Sequence, residues 1–452
     1  MENPKDKAAP RAKIITLGCK VNQFESAAIR EALTGAGYAV GDREGDSGGD
    51  KGGAELYVLN ACAVTLRAEK EAFRILRKLR RESPDALIVA AGCLSVARPE
   101  KLSETGADLV IGNAQKDDFV SFLEKPKGTM DCALPTKDSK LGYAGSPVSG
   151  RTRAFLKIQD GCDASCSYCA VPLLRGPSRS QEKEIVLSQI RNYVGMGYKE
   201  IVFTGIHLGQ WGKDLPGSPG AADLLKAVND ELDPLSRGFR MRLSSLEPNE
   251  LLPLVPLFGE YPWLARHAHV PLQAGTDKIL SLMNRPYDVS LYEKLLSDSR
   301  RLYPDMCLGS DVLAGFPGET GEDFSEGLRF IESLPLNYLH VFPFSARPGT
   351  VARDMKNQVS EGEKKERVKT LKSLDKRKRE AFAAENVGRT ERALTENTLD
   401  PATGRQKALT GNYLKVFMKE NDPALSGLLI DVKLEREEGR NDVLAATPVG
   451  VF

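Results

Sequence analysis

The sequence predicts an α/β protein in three parts: an N-terminal parallel α/β domain, a central partial barrel of six β/α units, and a small C-terminal all-β barrel. Three observations carry that reading. Apolar runs alternate with helix-like segments from residue 14 to 90, six further apolar runs recur between 155 and 342, and short runs separated by glycine turns fill the region after 390. Changes in composition place the domains at 11–125, 151–380 and 381–449, with a linker at 126–150.

Taken in order, residues 1–12 read as a loose tail. The strands of the first domain are expected at Ile14-Ile15-Thr16-Leu17, Leu56-Tyr57-Val58-Leu59 and Leu87-Ile88-Val89-Ala90, with helices near 23–37 and 66–82. Such alternation makes parallel neighbours. The polar, glycine-rich stretch 41–53 reads as a mobile loop. Residues 125–150 carry Pro, Gly, Ser and Lys without periodicity, as a linker does. The barrel strands are expected at Phe155–Ile158, Ile201–Phe203, Phe239–Leu243, His267–Val270, Met306–Leu313 and Tyr338–Phe342. Ser360-Glu361-Gly362-Glu363 matches a capping box and opens a long basic helix to about Asn386. Arg392–Leu394, Tyr413–Phe417 and Leu428–Val432 complete the chain as short strands.

Composition narrows the setting. Of 452 residues 41% are hydrophobic and 28% charged, which is ordinary for a globular protein. No apolar stretch approaches the roughly 18 to 20 residues that cross a bilayer. The first residues lack the apolar core of a secretory signal, so a cytoplasmic protein with no membrane partner is expected. Formal net charge is +1, so a nucleic-acid surface must come from local clusters. Segment 67–82 has seven basic against three acidic residues and segment 364–379 nine against two, whereas 387–452 has nine against ten. The first two suit phosphate contacts or the solvated face of a helix; the last is a poor phosphate binder by charge.

Six of the eight cysteines form two sets of three. The compact set is Cys162, Cys166 and Cys169, in Gly161-Cys162-Asp163-Ala164-Ser165-Cys166-Ser167-Tyr168-Cys169. Buried thiols on one helix face would explain the spacing, but Gly161, Asp163, Ser165, Pro172, Gly176 and Pro177 interrupt a helix. Structural zinc wants four ligands, and no fourth Cys or His lies near. A loop holding an iron–sulfur cluster with one open iron meets both objections. The dispersed set is Cys19, Cys62 and Cys93, each just past the carboxyl end of an expected parallel strand, where open α/β sheets gather ligands.

The compact set, with Tyr168 before its third cysteine, resembles the loop of radical S-adenosylmethionine (SAM) enzymes. Leu17-Gly18-Cys19-Lys20-Val21-Asn22-Gln23 and Asn60-Ala61-Cys62-Ala63-Val64-Thr65 resemble the N-terminal domain of methylthiotransferases, and Cys-Lys-Val-Asn-Gln resembles the type acting on threonylcarbamoyladenosine in tRNA. The last β segment resembles a TRAM domain. The resemblance implies two [4Fe-4S] clusters, one on Cys19, Cys62 and Cys93 and one on Cys162, Cys166 and Cys169. It implies SAM as methyl donor and as source of a 5′-deoxyadenosyl radical. It further implies a tRNA substrate and a flavodoxin- or ferredoxin-type electron donor.

Six strand-end loops would then form a cofactor rim. From it Gly205, Ser245, Glu247 and Gln273 are candidates for the SAM pocket, and Arg175 and Arg179 for the SAM carboxylate or an RNA phosphate. His207 and His269 are placed at that rim, His267 and His340 in packing, and Cys132 and Cys307 are read as structural. Rival readings are methylthiolation of a ribosomal-protein aspartate or of isopentenyladenosine and, in another class, a non-catalytic iron–sulfur RNA-binding or redox-sensing protein. Nothing in the residues sets an oligomeric state.

Overall fold

The computed structural model describes residues 9–41, 53–142, 147, 152–232 and 238–451, so most of the glycine-rich loop at 41–53 and the end of the linker lie outside the described residues. The chain divides into two compact units. The first holds 1–150 together with 155–163 and 170–181; the second holds 151–154, 164–169 and 182–452. This division does not follow the boundaries drawn from composition.

The first unit is built on a six-stranded sheet in the order β2-β1-β3-β4-β5-β6: β1 (Arg11–Thr16), β2 (Ala39–Val40), β3 (Leu56–Asn60), β4 (Leu87–Ala91), β5 (Leu109–Ile111) and β6 (Met130–Asp131). Every pairing is parallel, with Ala12 opposite Leu56 and Leu56 opposite Leu87. All five positions of β3 are buried, which is why its sequence reads as an unbroken apolar run rather than alternating. Helix α1 (Lys20–Gly35) starts three residues earlier than expected. Helix α2 (Leu66–Glu82) is capped by Thr65, whose hydroxyl accepts from the Ala68 N–H at 3.2 Å, and buries Ala72, Phe73, Leu76 and Leu79. Three strands of this sheet, β2, β5 and β6, are missing from the sequence reading, being too short to carry a periodic signal.

A strand, β7 (Ala154–Lys157), occupies the first of the six barrel runs. The second unit carries the other five: β8 (Glu200–Thr204), β9 (Arg240–Leu243), β10 (His267–His269), β11 (Cys307–Ala314) and β12 (Tyr338–Pro343). They are parallel in chain order, β8 with β9 and β10 with β11 and β12; a bridge from Met241 to Leu264 carries β9 toward β10. Their carboxyl ends therefore share one rim. A long helix, Glu361–Asn386, runs against β12; Ser360 caps it, exchanging bonds of 3.2 Å with Glu363 as a capping box requires.

The C-terminal strands close a barrel in the order β13-β14-β15-β17-β16: β13 (Thr390–Leu399), β14 (Gln406–Thr410), β15 (Lys415–Met418), β16 (Leu429–Glu437) and β17 (Arg440–Val451). Closure leaves no open sheet edge.

A buried charge cluster joins this barrel to β8 and β9. Glu200, fully buried, accepts from Arg240 Nε at 2.7 Å and Arg242 Nε at 3.1 Å. The far ends of the two guanidinium groups donate to the carbonyls of Arg392 and Leu409 at 3.0 Å and of Thr410 and Gly411 at 3.1 Å. Burial raises the Glu200 carboxyl, but the two arginines outweigh it and hold the group well below the usual carboxylate range. Burial likewise pushes Arg240 down to about 10 against the pull of Glu200.

Removing the anion alone strands two buried cations. Glu200→Gln is expected to destabilise the protein by about 3–5 kcal/mol, seen as a lower denaturant midpoint in equilibrium unfolding.

Candidate active site

In the first unit the three dispersed cysteines sit on neighbouring loops, because β1, β3 and β4 are adjacent and parallel. Cys19 is the residue before α1, Cys62 follows β3, and Cys93 opens a short helix (Cys93–Ala97) after β4. The loops are laced together: Leu17 N–H donates to Asn60 O at 2.8 Å, and Leu94 N–H to Ala61 O at 3.2 Å. Gly18 and Gly92 hold φ of 126° and 96°, which favours glycine. A Cβ at Gly18 would lie 2.8 Å from Cys62 Cβ, and one at Gly92 only 2.5 Å from Ala61 O. Side chains there would push the cysteine loops apart.

All three thiols are free. Cys19 Sγ lies 3.6 Å from Asn22 Oδ1, Cys62 Sγ accepts from the Val64 N–H at 3.4 Å, and Cys93 Sγ from Asn113 Nδ2 at 3.9 Å. Burial pushes the Cys62 thiol up to about 11, the nearby Cys93 and Cys19 thiols adding to it. Three soft donors on neighbouring loops, with N–H groups of Val64 and Asn113 directed at two of the sulfurs, fit an iron–sulfur group, which draws off the protons on binding.

Arg175 belongs to this unit, in the short helix Val171–Arg175, and is 1% exposed. Its Nη1 donates to Glu25 at 2.8 Å and Asp160 at 2.9 Å, and its Nη2 to Asn22 Oδ1 at 2.8 Å, the same oxygen that faces Cys19. Lys116 and Lys157 complete the cluster around Glu25. Burial raises the Glu25 carboxyl, yet Arg175, Lys116 and Lys157 together hold it well below its usual range. Arg179 is buried with Asp160 at 3.8 Å. Both arginines, expected from the sequence to hold the SAM carboxylate or an RNA phosphate, are paired in an internal ion network.

In the second unit, segment 164–169 is pinned to the turn at 282–285. Ser167 N–H donates to Met283 O at 3.1 Å and Ser167 Oγ to Leu282 O at 2.8 Å, while Asn284 Nδ2 donates to Ser165 O at 2.9 Å. Cys169 N–H closes a turn onto Cys166 O at 3.1 Å. Arg285 Nη1 donates to Cys166 Sγ at 3.2 Å, and its Nη2 pairs with Glu247. This arginine was not singled out from the sequence; it lies in Met283-Asn284-Arg285-Pro286, an unremarkable helix end, and only the fold brings it to the cysteine.

Four of the expected rim residues follow carboxyl ends of β8 to β10. Gly205 is partly buried, Ser245 exposed, and Glu247 caps a short helix (Pro248–Leu251) while holding Arg285. Gln273 has φ of 69° and exchanges backbone bonds with β11, accepting from Leu313 N–H at 2.8 Å and donating to Asp311 O at 2.9 Å. His207 Nε2 lies 2.8 Å from Glu250. His269 and His267 are buried, whereas His340, expected in packing, has a 46% exposed side chain beside Asp311. The thiol of Cys307 is fully buried, and burial pushes it up to about 12, in keeping with a packing role.

Two family models match the chain: the uncharacterized protein family UPF0004 over residues 11–112 and the radical SAM superfamily over 156–331. The threonylcarbamoyladenosine tRNA methylthiotransferase MtaB of Thermotoga maritima is 35% identical over 85% of this chain and 86% of its own length. Its namesake in Bacillus subtilis is 32% identical over 93% and 92%. The tRNA-2-methylthio-N(6)-dimethylallyladenosine synthase of Chloroflexus aurantiacus is 32% identical over 94% and 89%. Among solved structures, the radical SAM methyltransferase TsrM from Kitasatospora setae shares the fold, with a TM-score of 0.56 at 15% identity over 76% of this chain and 75% of that one.

Gly92→Ala is expected to unseat the Cys93 loop. Reconstituted protein should then carry the iron and sulfide of a single cluster, measured by colorimetric assay, with the signal of the Cys162–Cys169 site intact by electron paramagnetic resonance.

Proposed function

The chain belongs to the radical SAM methylthiotransferase family, and we propose that it converts N6-threonylcarbamoyladenosine at position 37 of tRNA to its 2-methylthio derivative. The observation that carries this reading is the presence, in one chain, of two sets of three cysteines, one on the neighbouring strand-end loops of β1, β3 and β4 and one within the eight residues 162–169. Relatives bearing that activity in their names support the choice of substrate. The dimethylallyl synthases at 32–33% identity support a second reading, in which the modified adenosine carries an isopentenyl group.

When bound, the cluster on Cys162, Cys166 and Cys169 supplies one-electron cleavage of SAM, and that on Cys19, Cys62 and Cys93 supplies the sulfur that a first SAM methylates. The chain's own residues do the rest. Arg285 orients Cys166 and fixes Glu247 at the rim, where Glu247, Ser245, Gly205 and the Gln273 turn line the space for SAM. Asn22, shared by Cys19 and Arg175, sets the position of the first loop of the sulfur-bearing site.

Two lysine- and arginine-rich stripes serve as phosphate contacts. On α2, Arg67, Lys70, Arg74, Arg77 and Arg81 recur at helical spacing and are all exposed. On the Glu361–Asn386 helix, Lys365, Lys369, Lys372 and Lys376 form an exposed stripe, while Arg367, Arg377, Lys378 and Arg379 are engaged with the central barrel. Stripes of this kind fit an RNA backbone. The C-terminal barrel, near neutral by count, acts by shape and placement. No described helix is long and apolar enough to cross a membrane. The proposed reaction on tRNA belongs in the cytoplasm and draws its electrons from a flavodoxin- or ferredoxin-type donor.

Two variants separate the sites. Under anaerobic reconstitution with SAM and dithionite, wild-type protein should release 5′-deoxyadenosine; its absence would sink the radical-enzyme reading. Cys166→Ala should abolish that release, whereas Cys62→Ala should retain it and lose methylthiolation of tRNA, read by mass spectrometry of digested nucleosides. Unchanged 2-methylthio-threonylcarbamoyladenosine in cells lacking the protein would refute the substrate.

A further inference from the structure

On β10, β11 and β12 a chain of polar side chains runs from the C-terminal barrel toward the rim. Tyr413, at φ of 69°, stacks on His267 with ring centres 4.1 Å apart. Tyr338 Oη bridges His267 Nε2 at 2.8 Å and His269 Nδ1 at 2.9 Å. His269 Nε2 reaches Asp311 Oδ1 at 2.9 Å, and His340 Nδ1 lies 3.3 Å from the same oxygen. Gly309 makes the chain possible, since a Cβ there would lie 1.9 Å from Cζ of the Tyr338 ring.

Donor and acceptor roles follow from the one group that only accepts. The Asp311 carboxylate takes Nε2–H from His269; with that ring as the neutral imidazole, His269 Nδ1 accepts the Tyr338 hydroxyl proton, and the Tyr338 oxygen accepts Nε2–H from His267. Every buried proton in the chain points toward Asp311. Burial raises that carboxyl, but the bonds from His269 and His340 outweigh it and hold it well below the usual range. Both bonds fall on Oδ1, so Oδ2 keeps its lone pairs outside them.

The far end of the chain is open. Asp311 is 24% exposed and His340 46%, against 7% for His269. Strand alternation puts Asp311 with Leu313, and His340 with Phe342, on the side where exposure rises toward the carboxyl ends. Asp311 also carries the backbone carbonyl that holds the Gln273 rim turn. A buried, hydrogen-bonded base with a polar, open end next to the cofactor rim is the construction of a specificity pocket.

We propose that Asp311 and His340 form the subsite for the hydroxy-acid end of the substrate's N6 side chain: with a proton on each ring nitrogen, His340 donates from Nδ1 to Asp311 and from Nε2 to the free carboxylate, and Asp311 Oδ2 accepts the hydroxyl proton. The inference rests on the substrate assigned above, whose threonyl group carries both functions. An isopentenyl group offers neither and would bury the two polar residues unpaired.

The test uses an anticodon stem-loop RNA carrying N6-threonylcarbamoyladenosine and the same RNA with that carboxylate methyl-esterified. The reconstituted full-length enzyme should methylthiolate the acid and bind the ester about 10- to 100-fold more weakly, as expected for loss of one charged hydrogen bond. In His340→Gln the ratio of dissociation constants should collapse toward one, whereas Asp311→Asn should weaken both RNAs alike; because the ratio is read within each variant, shared losses of folding or cluster loading cancel. A wild-type ratio near one, or a ratio that survives in His340→Gln, overturns the subsite while leaving the substrate standing. Failure of wild-type enzyme to modify the acid RNA, with turnover of an isopentenyl RNA, overturns both. A ratio abolished by a chelator such as EDTA overturns the direct contact, since two histidines and a carboxylate would then be holding a divalent cation.

Discussion

A buried charge must be neutralised by its neighbours, and the functional parts of this protein are organised around groups under that constraint. Arg175 does this in the first unit. It is nine residues from the compact cysteine loop's midpoint at Cys166 in sequence, yet it is held by Glu25, Asp160 and Asn22, so the segment following that loop is committed to the helix behind Cys19. Glu200 does the same in the second unit, gathering Arg240 and Arg242 and, through them, four carbonyls of the C-terminal barrel. Leaving any of these groups unpaired in a low-dielectric interior is strongly unfavourable, so the arrangement tolerates few alternatives.

The second organising constraint is the room left by absent side chains. Gly18 and Gly92 let three strand-end loops close on one another, and Gly309 admits the Tyr338 ring into the polar chain on β10 to β12. In each case the glycine sits where a parallel strand ends or a neighbouring ring crosses, and the chemistry depends on that close approach. The adjacent order of β1, β3 and β4 then turns three cysteines separated by 43 and 31 positions into one site.

The two sets of cysteines stood out in the sequence because their residue type is rare and their positions repeat a rule, one thiol after each of three strands and three in a compact loop. Long periodic elements were legible for a similar reason: α2 and the Glu361–Asn386 helix announce themselves by spacing and caps. The two-residue strands were not, since two positions cannot show alternation. Arg285 was invisible because an arginine at a helix end is commonplace, and its meaning comes from a hydrogen bond across 119 positions. The partners of Arg175 were equally hidden: it lies near the compact loop in sequence, but Glu25 stands 150 positions away. His340 was read as packing from its place within an apolar run, but the open end of its strand leaves it half exposed.

By itself, then, the sequence determined the three-part α/β plan, the two sets of three thiols, and the chemistry those thiols select, because strand alternation and ligand type are local properties. Only the tertiary structure decided which charges became internal. It committed Arg175 and Arg179 to the first unit, brought Arg285 to Cys166, and aligned His267, Tyr338, His269, Asp311 and His340 into one directed chain. These are pairings between residues far apart in sequence, set by burial and by which strands lie side by side, and no run of neighbouring residues encodes them.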